Sequence, residues 1–268
     1  MNRVLSIQDL SCMGKCSLTV ALPVLSSMGC ACTVLPTAVL STHTAFPNPH
    51  YHSLTGEMAA MAEHWKSVGA EFDAITVGYL ADPTQAEEVL RVLELFDAPV
   101  ILDPVMGDHG RLYSRVTGEH VAAMKTLCGK AKVLLPNVTE AAYLTGLGYR
   151  ETPDSAYLSE LTAGMLEFGA DAVVITGFLW DENTTGFAGH SKKEGAFAYR
   201  APRIPKSLHG TGDLFAATFT GSLLRGKDTF SAAKLAAGYV ERVVAATDTA
   251  SPFGAQFEKE LPWLIAQV

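Results

Sequence analysis

Short apolar runs rich in Val, Ile and Leu recur along the chain and alternate with longer amphipathic stretches. A strand covered on both faces reads as an uninterrupted apolar run, and a helix packed on it shows an apolar stripe at helical spacing. The alternation therefore predicts an α/β fold, a mostly parallel sheet between two helical layers. The predicted strands are Arg3–Ile7, Cys30–Leu35, Asp73–Val77, Pro99–Leu102, Lys132–Leu135 and Ala172–Ile175. The predicted helices between them are Cys16–Met28, Ser53–Val68, Pro83–Phe96, Gly118–Cys128, Thr139–Leu144 and Asp154–Phe168. After the sixth strand the pattern changes: Thr184–Gly189 and Gly195–Arg200 flank the polar turn HSKKE and predict an antiparallel hairpin at one edge. Helices at Asp213–Leu224 and about Phe230–Thr247 follow, and a last one spans Gln256–Ala266. No repeat and no linker rich in Pro, Gly or Ser divides the 268 residues, which read as one domain.

A domain of this size buries about three-quarters of its unfolded surface and needs no covalent staple. Hydrophobic residues make up 48% and charged residues 18%, which excludes a disordered chain. The net charge of −8, with no basic stripe, argues against a nucleic-acid partner while leaving room for one bound nucleotide. Cys12, Cys16, Cys30, Cys32 and Cys128 are odd in number and lack zinc-site pairing, so reduced thiols in a cytosolic protein are expected. Cys30 and Cys32, two apart in a predicted strand, would share one face of the core. The start MNRVLSIQD meets Asp9 before any apolar region of signal length, and no run reaches the roughly eighteen apolar residues of a membrane span. A cytoplasmic location is the expectation.

Ligands of an open parallel sheet bind in the crevice beyond the carboxyl ends of its strands, so what stands there is informative. The first strand runs into Gln8 and Asp9, the third into Gly78 and Tyr79, and the fourth into Asp103, Pro104 and Gly107. The fifth runs into Pro136 and Asn137, and the sixth into Thr176 and Gly177. Asp103, directly after three apolar residues, is costly unless paired, hydrogen-bonded or beside a cation. A divalent metal that neutralises phosphates suits it, with Asp108 as a second ligand; a turn capped against Gly107 is the alternative. In PNVTE, Asn137 and Glu140 have the spacing of a capping box, the reading that spacing alone favours.

The stretch HGTGDLFAA, His209 to Ala217, hands a glycine-rich loop into a helix start. The first N–H groups of a helix lack internal partners and carry partial positive charge, so such a site attracts phosphate. Gly210 and Gly212, flanking Thr211, let the backbone approach a ligand closely. A carboxylate beside a phosphate is otherwise repelled, so Asp213 is a candidate acceptor of a proton from a hydroxyl that attacks phosphorus. Capping of the helix by Asp213 is the plainer alternative.

Other motifs carry less. Gly14-Lys15 has the end of a phosphate loop, but Asp9 stands where the leading Gly belongs and Cys16 replaces Ser or Thr. No G-x-G-x-x-G follows the first strand, which counts against a dinucleotide-dependent dehydrogenase. His50 and His52 sit in a Pro- and Asn-containing loop without a third ligand and read as solvated. Ser41–Phe46, with His43 and Thr44, offers donors and acceptors to a polar heteroaromatic ring or to its own loop.

Together SIQD, THT at 42–44, GYLAD at 78–82, DPVMGD at 103–108, PNVTE at 136–140, VVITG at 173–177 and GTGDLFAA at 210–217 resemble the pyridoxal (pyridoxine, pyridoxamine) kinases of the ribokinase-like superfamily, in order and approximate spacing over almost the whole chain. The resemblance implies a three-layer α/β/α sandwich and transfer of the γ-phosphoryl of ATP to the 5′-hydroxymethyl of a B6 vitamer. It implies Asp213 as general base, with the Gly210, Thr211 and Gly212 segment as anion hole. It also implies Asp103 and Glu140 on Mg²⁺, partly through water, and a monovalent cation such as K⁺. Asp108, Tyr113, Asn137, Thr176, Gly177 and Thr211 would lie near the nucleotide. Asp9, Thr44 and Tyr79 would contact or cover the vitamer, with His43 close by, and a homodimer is the usual state of the resembled family.

Asp9 stands where the family usually has Ser, which bears on vitamer preference because a carboxylate favours a cationic amine or a protonated ring nitrogen. Leu135 and Gly177 replace hydroxyl residues common near the nucleotide. The rivals are the hydroxymethylpyrimidine kinases of thiamine synthesis, which resemble this family but usually carry Cys in place of Asp213, and a vitamer-binding protein without turnover.

Overall fold

The structure is a computed structural model and describes residues 1–248 and 252–267. Its elements, in chain order, are β1 (Arg3–Met13), α1 (Leu18–Ser27), β2 (Ala31–Thr42), β3 (Tyr51–Ser53), α2 (Thr55–Ser67), β4 (Ala74–Val77), α3 (Gln85–Leu95) and β5 (Val100–Leu102). The hairpin β6 (Gly107–Asp108) and β7 (Arg111–Leu112) follows, then α4 (Gly118–Cys128), β8 (Val133–Leu134), α5 (Val138–Thr145), α6 (Ser155–Leu166) and β9 (Ala172–Ile175). The chain continues with β10 (Leu179–Asp181), β11 (Thr184–Ser191), β12 (Gly195–Pro202), α7 (Thr211–Leu224), α8 (Thr229–Ala246) and α9 (Leu261–Ile265).

The parallel core of the sheet has the order β2-β1-β4-β5-β8-β9. Antiparallel strands close both sides: β3 on β2, and β11 on β9 with β10 and β12 attached to it. Successive residues of each central strand point to opposite layers. In β4 and β5, Ile75, Val77, Val100 and Leu102 join the core under α2 to α6, whereas Ala74 and Ile101 join the core with Phe215 and Phe219 of α7. This is the expected α/β/α sandwich. Aspartates start the helices on cue: Asp154 accepts from the Tyr157 N–H at the head of α6, and Asp228 from the Ser231 N–H at the head of α8.

Several expected boundaries are corrected. The first strand does not end at Ile7 but runs to Met13, and the second runs to Thr42, so Asp9 lies inside a strand. The register slips there: Gln8 faces Pro36 and Leu10 faces Val39, leaving Thr37 and Ala38 opposite Asp9 alone. Such a bulge bends the sheet and aims side chains beside a site. Four short strands, β3, β6, β7 and β10, are too brief for an alternation to show. The first helix starts at Leu18 rather than Cys16, because Ser17 has a positive φ of 50°. Likewise the last predicted helix is a 3₁₀ turn at Phe257–Glu260 followed by α9, since Pro262 in the first turn of α9 lacks the N–H that a continuous helix needs.

The chain leaves β1 for β2 on one side and later fills β4, β5, β8 and β9 on the other, so the order reverses between β1 and β4. The crevice beyond their carboxyl ends is where such a sheet takes a ligand. A cavity of about 20 Å³, room for one water, lies at this point among Gln8, Gly78, Asp103 and Asp213.

Ile75 is fully buried in the β4 core. Replacement by Ala is expected to cost about 2–5 kcal/mol, read as a lower urea midpoint at unchanged slope; a loss under about 1 kcal/mol would show that the central strand tolerates a cavity.

Candidate active site

The loop before α7 is shaped by contacts that only glycine permits. Gly210 caps the helix with a left-handed φ of 86°, and a Cβ on it would lie 2.0 Å from the Lys15 carbonyl oxygen. The loop is thus pressed onto the Gly14–Ser17 turn, and Thr211, Gly212 and Asp213 form the first turn of α7 with their N–H groups free of helical partners. Thr211 donates its hydroxyl to the Leu208 carbonyl at 3.3 Å. A Cβ on Gly212 would stand 4.0 Å from Asp103 Oδ2, which places the end of β5 across from this helix start.

Asp213 does not cap α7; Gly210 holds that position. Burial pushes the Asp213 carboxyl up to about 6, with the charge of Asp9 adding to the rise, while the Ser17 backbone N–H and the Cys16 thiol hold it down. Burial also pushes the Cys16 thiol well up, as do Asp213 and Asp9, so it faces Asp213 as a neutral donor. A carboxylate poised near neutrality suits proton acceptance.

Asp103 is driven well above the carboxylate range by burial, then by the charges of Glu140 and Asp213. Glu140 is buried on α5, and burial lifts it to about 8 against the N–H groups that hold it down. Its Oε1 accepts from the Met106 N–H at 3.0 Å and its Oε2 from the Asn137 N–H at 2.8 Å. The Glu140 N–H in turn reaches Asn137 Oδ1 at 3.0 Å, completing the capping box, and Asn137 Nδ2 donates to the Gly107 carbonyl at 2.8 Å. The cap therefore also ties the DPVMGD segment to α5.

Asn137 bridges to Thr176 at the end of β9, and Gly177 follows with a φ of 72°. A Cβ on Gly177 would lie 2.8 Å from the Asn137 Cβ, so a hydroxyl residue has no room there. Asp108 accepts from its neighbour His109 at 2.8 Å in the β6/β7 hairpin. Tyr113 is partly exposed, and its hydroxyl is shifted upward by burial and by the charges of Glu140, Asp108, Asp103 and Asp213.

On the other side of Asp213, opposite the bulge in β2, β1 carries Asp9, buried, accepting from Ser11 Oγ at 2.8 Å and from Ser17 Oγ. Burial raises the Asp9 carboxyl. Tyr79 is buried, its hydroxyl has no hydrogen-bond partner among the described residues, and burial pushes that hydroxyl upward, with the charge of Asp9 adding to the rise. Thr44 lines a cleft of about 610 Å³ with Phe46, Tyr51 and Arg115. His43 is not turned to this cleft. It is buried against His209, ring centroids 4.6 Å apart, and against Gly14, whose added Cβ would meet it at 2.7 Å. Burial and His209 push its pKa down, so it is a neutral packing group.

A family model described as phosphomethylpyrimidine kinase matches residues 21–257. The chain is similar to the pyridoxal kinase of Lactobacillus plantarum, with a TM-score of 0.90 and 32% identity, covering 100% of this chain and 98% of the other. The chain belongs to this kinase family, among its pyridoxal kinases. It is also similar to a candidate phosphomethylpyrimidine kinase of Bacteroides thetaiotaomicron solved with pyridoxal, at a TM-score of 0.93 and 35% identity over 98% and 95% of the two chains. A Leishmania donovani pyridoxal kinase solved with ADP and pyridoxamine superposes at 0.87 with 25% identity over 98% and 96%.

Sequence reasoning missed Tyr51, Arg115, Cys16 and Ser17 in this pyridoxal kinase fold. Tyr51 donates to the Ala81 carbonyl at 2.9 Å and lies under the Arg115 guanidinium, 4.2 Å from its centroid. Neither stands in a motif; the β2/β3 pairing places Tyr51, and the segment between β7 and α4 brings Arg115 over its ring. Cys16 sat inside a rejected phosphate-loop match.

Glu140 supplies a pH test. A carboxyl held at about 8 when folded against 4.5 ordinarily takes up a proton on folding, so its contribution is full below about pH 4.5 and is lost as pH rises through 8. In metal-free protein the stability of wild type relative to Glu140→Gln is expected to fall by about 1 kcal/mol or more between pH 5 and 8. Parallel unfolding curves across that range would refute the burial argument.

Proposed function

We propose that this chain transfers the γ-phosphoryl group of ATP to the 5′-hydroxymethyl group of a B6 vitamer, acting as one ribokinase-like domain over residues 1–268. The observation that carries the reading is Asp213: a carboxyl raised to about 6, in the first turn of α7, facing Asp103 on one side and Asp9 on the other. Relatives solved with pyridoxal, and with ADP and pyridoxamine, support both ligands.

Asp213 accepts the proton of the vitamer hydroxyl as its oxygen attacks phosphorus. The Gly210, Thr211 and Gly212 amides at the helix start receive the charge that builds on the transferring group. Asp108, Tyr113, Asn137, Thr176, Gly177 and Thr211 border the nucleotide. Asp9, Thr44 and Tyr79 border the vitamer, and His43 shapes the loop over it.

Asp103 and Glu140 are buried carboxylates that no ion pair among the described residues neutralises. Oxygen donors of this kind fit Mg²⁺, an ion that usually keeps several waters and takes phosphate oxygens as further ligands. When bound, Mg²⁺ neutralises phosphate charge. A monovalent cation such as K⁺ would be held by the same carboxylates, and no step is assigned to it. Homodimerisation and a cytoplasmic location complete the reading on family likeness; no helix among the described residues is long and apolar enough to cross a membrane.

The matching family is described as phosphomethylpyrimidine kinase, so hydroxymethylpyrimidine is the second substrate to test. A coupled ADP-release assay is expected to show pyridoxal, pyridoxine or pyridoxamine turned over with higher kcat/KM than hydroxymethylpyrimidine. The opposite ranking would replace the substrate, and ATP and vitamer binding without ADP release would leave a binding protein. Asp213→Asn is expected to lower kcat by about 10²–10⁴ while ATP binding persists; near-normal turnover would reject the base.

A further inference from the structure

Ser17 is the one non-glycine residue at the centre of the site whose backbone is strained. Its φ of 50° and ψ of −126° belong to a region that L-residues rarely adopt and that persists only when surroundings impose it. It occupies the N-cap of α1, where a serine hydroxyl ordinarily accepts from its own helix, and it makes no such cap. The hydroxyl instead donates to Asp9 Oδ1 on β1. Its carbonyl accepts the Val20 and Ala21 N–H groups that begin α1, and its backbone N–H faces the Asp213 carboxylate.

The strain is imposed by contacts on both sides of the turn. The Lys15 N–H donates to the Phe253 carbonyl at 2.8 Å, and the Lys15 carbonyl is closely packed by Gly210 and Gly254. The turn Gly14–Ser17 is therefore fixed on one side by the anion-hole loop and on the other by Asp9. Ser17 itself is buried, so its hydroxyl has no water to fall back on. The two hydrogen-bonding ends of one residue thus join β1 to the catalytic end of α7.

We propose that Ser17 is a positioning residue for phosphoryl transfer, its hydroxyl anchored on Asp9 so that its strained backbone presents an N–H to Asp213 and fixes that carboxylate toward the substrate hydroxyl. This rests on the assignment of Asp213 as base and adds what holds it. It also gives Asp9 a duty within the protein: Asp9 is the fixed point of the turn.

Ser17→Gly and Ser17→Thr separate the proposal from simple stability. Glycine adopts the backbone without strain but lacks the hydroxyl; threonine keeps the hydroxyl at the expense of a β-branched side chain at positive φ. The expected result is that Ser17→Gly holds or gains stability, keeps KM for ATP within about twofold, and loses kcat by at least about tenfold, as slight misplacement of a reacting group does. Ser17→Thr is expected to be less stable yet to retain more of the wild-type kcat than the glycine variant. A merely structural serine predicts the reverse order, kcat following stability. Wild-type kcat in Ser17→Gly, or a threonine variant that folds and turns over no faster than the glycine one, overturns the proposal. Asp213→Asn measured alongside distinguishes the two failures: turnover surviving there sinks the base, whereas its loss together with an indifferent Ser17 sinks only the anchor.

Discussion

Four carboxylates, Asp9, Asp103, Glu140 and Asp213, are drawn out of water around one rim of the sheet, and burial is the largest cause of the upward shift in each. No Lys or Arg among the described residues forms an ion pair with any of them. What holds them instead is hydrogen bonding from hydroxyls and backbone N–H groups: Ser11 and Ser17 on Asp9, Met106 and Asn137 on Glu140, Ser17 on Asp213. A rim of this kind is at high potential energy toward protons and cations. Bringing an anionic nucleotide there requires compensating positive charge, which the free N–H groups of α7 would supply in part and, in the proposed reading, a bound cation would complete.

The fold serves this arrangement by reversing strand order between β1 and β4. The reversal opens the crevice, the bulge opposite Asp9 bends its edge, and glycines at 210 and 177 allow two loops to close to distances that any Cβ would forbid. The two sides of Asp213 are chemically distinct. The Asp103–Glu140 side is tied to the β6/β7 hairpin and to the ends of β8 and β9, and the Asp9 side to Tyr79, Tyr51 and Arg115. One carboxylate between two such compartments fits a group moved from a nucleotide to a small ring.

Most of this was legible in the sequence wherever burial writes a pattern. The six parallel strands show as apolar runs because both their faces are covered, and Asp103, Asn137 and Thr176 show as polar punctuation after them. Asp213 stands out in the sequence because a Gly-x-Gly loop enters a helix there, but the same residues also read as a cap, and only the structure gives the cap to Gly210. Asp9 misled on position: an aspartate after apolar residues reads as a strand end, but the hydroxyls of Ser11 and Ser17 let β1 carry a buried charge and continue. His43 reads as a ring contact and is a packing group, since its partners, Gly14 and His209, are remote in sequence. Ser17 and Arg115 left no trace, because a strained φ and a cation over a distant ring are properties of tertiary contact alone.

The central claim is that Asp213 takes the proton from the substrate alcohol. A crystal structure of the protein with pyridoxal and a non-hydrolysable ATP analogue measures it directly. The account predicts the 5′-oxygen within about 2.6–3.2 Å of an Asp213 carboxylate oxygen, on the side facing the γ-phosphate. A vitamer seated in the cleft with that oxygen turned to another residue, and Asp213 bonded only to Ser17 and Cys16, would contradict it.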